Sequence, residues 1–318
     1  MLTTPLTSLL GIDYPVLQGG MAHLATAELA SAVSEAGGLG IIGAGNAPAG
    51  WVRDQIRRVK EATSRPFGVN VMLMSPHAAD VIELVADERV PVVTTGAGNP
   101  GSHLPRLKAA GCKVIPVVAA VSLAQRMVRQ GADAVIAEGT ESGGHIGELT
   151  TLALVPQVVD AVQVPVIAAG GIGDGRGLAA ALCLGAAGVQ MGTRFVCATE
   201  CIAHPRYKQA ILAASDRDTV VSGRSTGHPV RCLRNKLTRA FAAKEAAGAS
   251  VQELAELGTG RYPAAVYEGD VEEGSVLAGQ ISGLIRREEP AAAIIAQTVR
   301  EALAILAALG SRAEEASQ

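Results

Sequence analysis

Short apolar or β-branched runs recur along the first two-thirds of the chain, and between them apolar residues return with helical period. The runs are Pro15–Gln18, Leu39–Ile42, Phe67–Met72, Val90–Thr94, Lys113–Val118, Ala134–Glu138, Pro165–Ala168 and Gly188–Met191. Runs this short and this uniformly apolar predict strands buried on both faces of a parallel sheet. The stretches Thr26–Ala36, Ala49–Ala62, Ala78–Ala86, Ser122–Gln130, Leu152–Val162 and Arg176–Leu184 predict helices. Gly111, Gly131 and Gly185 stand where a helix should stop before the next strand. Eight strands alternating with helices predict an α/β fold, a closed TIM (β/α)8 barrel rather than an open doubly wound sheet.

Such a barrel uses about 250 residues, and the chain has 318. The excess falls after the eighth strand. Residues 200–282 lose the strand–helix rhythm, contain a helix-like Lys236–Ala247 and the turn-like Glu268-Gly269-Asp270, and predict a helical lid or small subdomain over the carboxyl mouth. The expected organisation is therefore a barrel over 1–199, a lid over 200–282, and a last barrel helix and tail over 283–318. The amphipathic Ala291–Leu309 supplies that helix, and the tail is expected to fray after Gly310.

Glycine placement brings in the first chemistry. Ala168-Ala169-Gly170-Gly171-Ile172 and Gln190-Met191-Gly192-Thr193-Arg194 each put glycine directly after a predicted strand, the seventh and the eighth. Loops at those positions in a barrel commonly hold a phosphate, and glycine lets backbone N–H groups approach an anion. Two stretches, Gly38–Gly43 and Gly96–Gly101, also match G-x-G-x-x-G. The first overlaps a strand, and the second is followed by a strand ending Val117-Val118 with no acidic residue to hold a ribose, so neither reads as a dinucleotide fingerprint.

His145 lies in the loop after the sixth strand, flanked by Gly143-Gly144 and Gly147. That loop opens on the catalytic face of a barrel, and histidine exchanges protons near neutrality. It reads as a catalytic candidate or as a loop histidine bonded to a carbonyl. Asn70 and Glu138 end strands three and six, where each is either a polar contact to a heterocycle or a bonded rim residue. Asp174 reads as a helix cap. Arg231, Arg234, Lys236 and Arg239 cluster in the lid, as a solvated face or a docking point for an acidic carrier protein.

Composition narrows the classes. With 48% hydrophobic and 18% charged residues the chain can bury a sizeable core. Only 3% aromatic residues and a net charge of −3 leave no surface for nucleic acid. Five cysteines without C-x-x-C spacing read as reduced thiols, and no metal site is expected. Met1–Leu10 lacks a basic-then-apolar leader, and the longest apolar tract, taken as Gly177–Met191, is too short to span a membrane. A cytoplasmic protein without membrane contact is expected.

Several motifs together resemble one family. Gln18-Gly19-Gly20-Met21-Ala22, Gly37–Gly45, Pro66–Met72, Thr94–Pro100, Ser142–Gly147 with Leu149-Thr150-Thr151, Ala168–Ile172, Gly192–Phe195 and Gly274–Gly283 resemble the flavin-dependent enoyl-ACP reductases of the FabK type. The resemblance covers almost the whole chain. These reductases sit within the nitronate monooxygenase (2-nitropropane dioxygenase) superfamily. The resemblance implies non-covalent FMN, with Gly20 and Met21 against the ring. It implies Gly45, Asn46, Asn70 and Glu138 at the ring edge or ribityl chain, and Gly170, Gly171, Gly192 and Thr193 at the phosphate. Gly143 and Gly144 would also bind the cofactor, His145 would be the active-site histidine, and Gln280 would lie near the flavin.

It further implies reduction of the trans-2 double bond of an enoyl-ACP or enoyl-CoA by NADH or NADPH in fatty-acid synthesis, a homodimer, and in some relatives a supporting monovalent cation. The alternative is a nitronate monooxygenase, which carries a histidine in the same loop. Gly147–Thr151, Gly227–Arg231 with Asn235–Arg239, and Gly274–Gln280 resemble the reductases more closely, while Gly248–Gly260 is shorter than that pattern expects.

Overall fold

The computed structural model describes the backbone of residues 2–316 and the side chains of residues 2–313. The eight barrel strands are β1 (Val16–Gln18), β2 (Gly40–Gly43), β3 (Phe67–Met72), β4 (Val92–Gly96), β5 (Lys113–Val118), β6 (Val135–Glu138), β7 (Val166–Ala169) and β8 (Gly188–Met191). They run parallel in the order β1-β8-β7-β6-β5-β4-β3-β2. Gln18 N donates to Leu39 O and Leu39 N to Val16 O, both at 3.0 Å, which joins β1 to β2 and closes the barrel. The predicted TIM barrel is observed.

Alternation along the strands divides the core in two. Leu17, Ile41, Val92, Ile115, Ile136 and Ile167 fill the barrel together. Val69, Val93 and Val114 on one side, and Val135, Val166 and Val189 on the other, face the surrounding helices. The amino end of the barrel is stopped by a helix not read from the sequence, Pro5–Leu10, whose Leu6 and Leu10 join the interior cluster. Thr4 begins that helix with a capping box and also donates to Ala187 O at 2.7 Å.

The last helix runs from Ala291 to Ala316. Ala291, Ile294, Ile295, Thr298, Val299 and Ala302 are buried, one face at helical spacing, against the helices Gly175–Cys183 and Ala27–Glu35. It continues through Gly310 instead of fraying there; a single glycine costs a helix only about 1 kcal/mol. Within Ala291–Ala313 an 18-residue window has a mean hydropathy of 1.6, and the helix is long and apolar enough to cross a membrane by length and composition. The reading that took Gly177–Met191 as the longest apolar tract missed it.

Between β8 and this helix lies more than the expected helical lid. The predicted lid helix is observed as Lys236–Ala246, capped by Asn235. Pro205–Ala213 and Val251–Gly258 are also helical. A hairpin accompanies them: Thr219–Ser222 pairs antiparallel with Val230–Leu233, which pairs in turn with Gly144–His145 from the loop after β6.

The strand–helix contact at Gly40 is tight enough to test. An added Cβ there would lie 1.8 Å from Ala30 O. Gly40→Ala should lower the urea unfolding free energy by about 3 kcal/mol. Gly50→Ala, whose added Cβ meets nothing within 4 Å, should hold or gain stability in the same assay.

Candidate functional site

The carboxyl ends of the strands carry a polar layer above the apolar interior. Alternation turns Asn70, Thr94, Glu138 and Gln190 inward, one step above Ile41, Val92, Ile136 and Gly188. Asn70 and Thr94 are register partners, and Asn70 Nδ2 donates to Thr94 Oγ1 at 2.9 Å. Gly20 lies against this layer so closely that a Cβ on it would meet Asn70 Cβ at 2.2 Å. Gln190 and Thr94 were not singled out as site residues. Their signal was available: each is a polar residue at an inward position of an otherwise apolar strand.

Glu138 is the least compensated member of the layer. Burial raises its carboxyl pKa to about 7. The neighbouring Ser142 hydroxyl opposes the rise, but no hydrogen bond of normal geometry forms, and Ser142 Oγ is buried without a partner. A carboxyl group that titrates near pH 7 can, in its protonated form, donate a hydrogen bond as well as accept one.

Loops complete the mouth. After β1, Met21 has its backbone against Gly43, and its Sδ would lie 3.7 Å from a Cβ on Gly192. Gly45 is buried against Ala22, while Asn46 is exposed and contributes no hydrogen bond. After β7, Gly170 and Gly171 adopt φ of +85° and +72°, a pair of left-handed residues that glycine alone takes easily. Within the described residues, the N–H groups of Gly170, Gly171, Ile172 and Gly192 have no acceptor. Thr193 Oγ1 accepts from Gly279 N at 2.9 Å, and Gln280 N donates to Glu141 O at 2.9 Å, bringing exposed Gln280 to the rim.

The loop after β6 ends at His145. A Cβ on Gly143 would lie 2.7 Å from the Ala278 carbonyl carbon, so this loop rests directly on the lid's return segment. Gly144 and His145 form the short strand that pairs with Arg231 and Val230. His145 is exposed by surface area, on the short strand beside the lid hairpin. Burial, with His228 nearby adding like charge, lowers its pKa. Arg231 does not belong to the exposed basic cluster read from the sequence. It is buried, and its guanidinium donates to Thr140 O at 3.0 Å and Thr219 Oγ1 at 3.2 Å. Lys236 pairs with Glu272, leaving Arg234 and Arg239 exposed without a carboxylate partner among the described residues.

Free N–H donors on adjacent loops after β7 and β8, open space over Gly192, and a polar layer at the barrel top fit a phosphorylated group with a flat, polar-edged ring. The predicted residues, Asn46 excepted, contribute to this mouth.

The family profile of nitronate monooxygenase matches residues 3–84 and 80–301. The chain belongs to the nitronate monooxygenase family. A protein of Mycobacterium tuberculosis named (3aS,4S,5R,7aS)-5-hydroxy-7a-methyl-1-oxo-octahydro-1H-indene-4-carboxyl-CoA dehydrogenase is 45% identical over 239 residues, 74% of this chain and 67% of the relative. A probable nitronate monooxygenase of Staphylococcus saprophyticus is 38% identical, covering 74% of this chain and 79% of the relative. Among solved structures, FabK from Thermotoga maritima superposes with a TM-score of 0.96 at 50% identity, over 98% of this chain and all of that one. Nitroalkane oxidase from Streptomyces ansochromogenes gives 0.86 at 31%, over 96% of this chain and all of that one. The chain is an oxidoreductase of this flavin-dependent family.

Glu138 gives the site a pH signature in ligand-free protein. A carboxyl pKa raised on folding means that the folded state binds more protons, so stability falls as pH rises from the ordinary carboxylate range through about 7. Glu138→Gln should therefore stabilise the flavin-free chain at pH 8 by about 3 kcal/mol, with little effect at pH 4. Thermal unfolding of both forms across that range checks it.

Proposed function

We propose that this protein is an FMN-dependent reductase of enoyl thioesters that uses NADH or NADPH. One observation carries the reading: the segments that resemble the reductases more than the monooxygenases are the ones that grip the loop bearing His145. Val230 pairs with His145, Arg231 reaches Thr140 O, and Gln280 N bonds Glu141 O. Full-length likeness at 50% identity to FabK from Thermotoga maritima supports the same reading, against 31% for the nitroalkane oxidase.

Bound FMN would supply the two-electron carrier between nicotinamide and thioester. The chain's residues would do the rest. Gly170, Gly171, Ile172 and Gly192 would direct N–H groups at the phosphate, with Thr193 beside them. Gly20 and Met21 would lie along the ring, while Gly45, Asn70 and Glu138 would hold its edge or the ribityl chain. His145, kept neutral at physiological pH, would donate a hydrogen bond to the thioester oxygen, where negative charge develops as hydride reaches the β-carbon. The short strand fixes the ring's approach, and the hairpin over it would keep water from the reacting carbon. The overall balance is one enoyl thioester, one NAD(P)H and one proton giving the saturated thioester and NAD(P)+.

The family profile and the staphylococcal relative favour a second reading, oxidation of alkyl nitronates. Anaerobic stopped-flow separates the two. Rapid bleaching of the flavin absorbance by NADH, then recovery on adding crotonyl-CoA or a crotonyl carrier-protein thioester, supports the reductase. Bleaching by a nitronate with a sluggish NADH response overturns it. His145→Ala should lower thioester-dependent turnover by about 100-fold or more while leaving flavin content unchanged.

A further inference from the structure

Two backbone irregularities meet at one contact outside the residues assigned above. His23, two residues beyond Met21, has φ +65° and is one of only three non-glycine residues with positive φ among those described. That conformation is uncommon, and surrounding contacts must hold it. Opposite it, the lid chain passes from the short turn Arg261–Pro263 into a π-helical turn, Ala264–Glu268, a rare conformation that is frequent at functional sites.

The contact between them is specific. His23 Nδ1 lies 3.1 Å from the Tyr267 hydroxyl. The imidazole meets Tyr262 and Tyr267 edge to face, at ring separations of 5.4 and 5.6 Å. The Tyr262 hydroxyl donates to Ala22 O at 2.8 Å. In an α-helix, residues five apart point about 140° away from each other. The wider π turn returns the fifth residue toward the first, and this lets both tyrosines reach one histidine. Burial lowers the His23 pKa and raises that of Tyr267, so a neutral imidazole faces a protonated phenol across this contact.

We propose that His23 and Tyr267, with Tyr262 behind them, are positioning residues that lock the loop carrying Met21 to the lid and so fix one wall of the mouth. None of the three acts on the reacting atoms. Met21 stands between Gly43 and Gly192, so a shift of this loop displaces the wall that a thioester would pass. Tyr267 is 52% exposed, which makes its hydroxyl removable without opening a cavity. The kinetic arm rests on the reductase reading, whereas the exchange arm does not.

Tyr267→Phe removes the hydroxyl, His23→Gly relieves the backbone and removes the ring, and His23→Asn keeps a polar side chain that tolerates positive φ. In holoenzyme, Tyr267→Phe and His23→Gly should raise KM for crotonyl-CoA about five- to tenfold. Flavin content and Tm should be unchanged, kcat should stay within twofold, and His23→Asn should recover most of the loss. Amide hydrogen exchange should accelerate at Gly19–Ala25 and at residues 261–268 in the first two variants and nowhere else. Unchanged exchange in those segments overturns the proposal, and so does an equal loss of kcat, KM and Tm, the mark of a structural role alone. A wild-type enzyme that does not reduce crotonyl-CoA defeats the reductase reading, and exchange then decides the proposal by itself.

Discussion

Close backbone approach between the loop after β6 and the segment Ala278–Gln280 is the constraint on which the mouth depends. A Cβ on Gly143 would lie 2.7 Å from the Ala278 carbonyl carbon, and one on Gly279 would lie 2.7 Å from Glu141 O. Hydrogen bonds then fix the register: Gln280 N to Glu141 O, and Gly279 N to Thr193 Oγ1. Thr151 secures the other side. Its N–H and hydroxyl both engage the Glu141 carboxylate, and the hydroxyl oxygen lies 3.1 and 2.9 Å from the carbonyls of Ala169 and Gly170. The loops after β6, β7 and β8 and the lid's return are therefore one rigid body. His145 stands at its edge on a paired strand, which gives a loop histidine the fixed direction that proton and hydrogen-bond chemistry needs.

Stability and chemistry are separated along the barrel axis. The lower layers are aliphatic and closed by Leu6 and Leu10 of the first helix. Polar groups appear only at the carboxyl end, and there the satisfaction of hydrogen bonds is incomplete. Glu138 has its carboxyl pKa raised to about 7 by burial, Ser142 Oγ has no partner of normal geometry, and four consecutive or neighbouring loop N–H groups lack acceptors. Those that are buried, such as Ser142 Oγ, cost the chain free energy. Apart from Thr95 Oγ1, the unpaired side-chain atom buried among the described residues lies at this end, the pattern expected where a ligand completes the structure.

The barrel was legible because its strands are short apolar runs and its helices have clear period; every predicted strand is observed within about two residues. The glycine loops were legible because their position after β7 and β8 carries the meaning. The lid was not. Thr219–Ser222 has no buried residue, so no alternation marks it as a strand. Val230–Leu233 hides behind Arg231, which sequence reasoning assigns to solvent because only the fold supplies Thr140 O and Thr219 Oγ1 to bury it against. His23 could not be singled out from the sequence, since neither its left-handed backbone nor the two tyrosines some 240 residues away leave a local trace. The N-terminal plug was overlooked because six residues are too few to show a period.

The lid's hold on the barrel explains how one family can host different reactions. Several of its ties end on main-chain atoms: Ile146 N to Pro229 O, Arg231 to Thr140 O, Gln280 N to Glu141 O, and the Tyr262 hydroxyl to Ala22 O. A backbone acceptor is present whatever side chain that position carries. The lid can therefore change its sequence while keeping its register on the His145 loop, and the cradle formed by Gly170, Gly171 and Gly192 need not change with it. The residues facing an incoming substrate, unlike those facing the barrel, are then free to diverge. Relatives whose names specify different substrates but whose likeness spans the barrel are what such an arrangement produces.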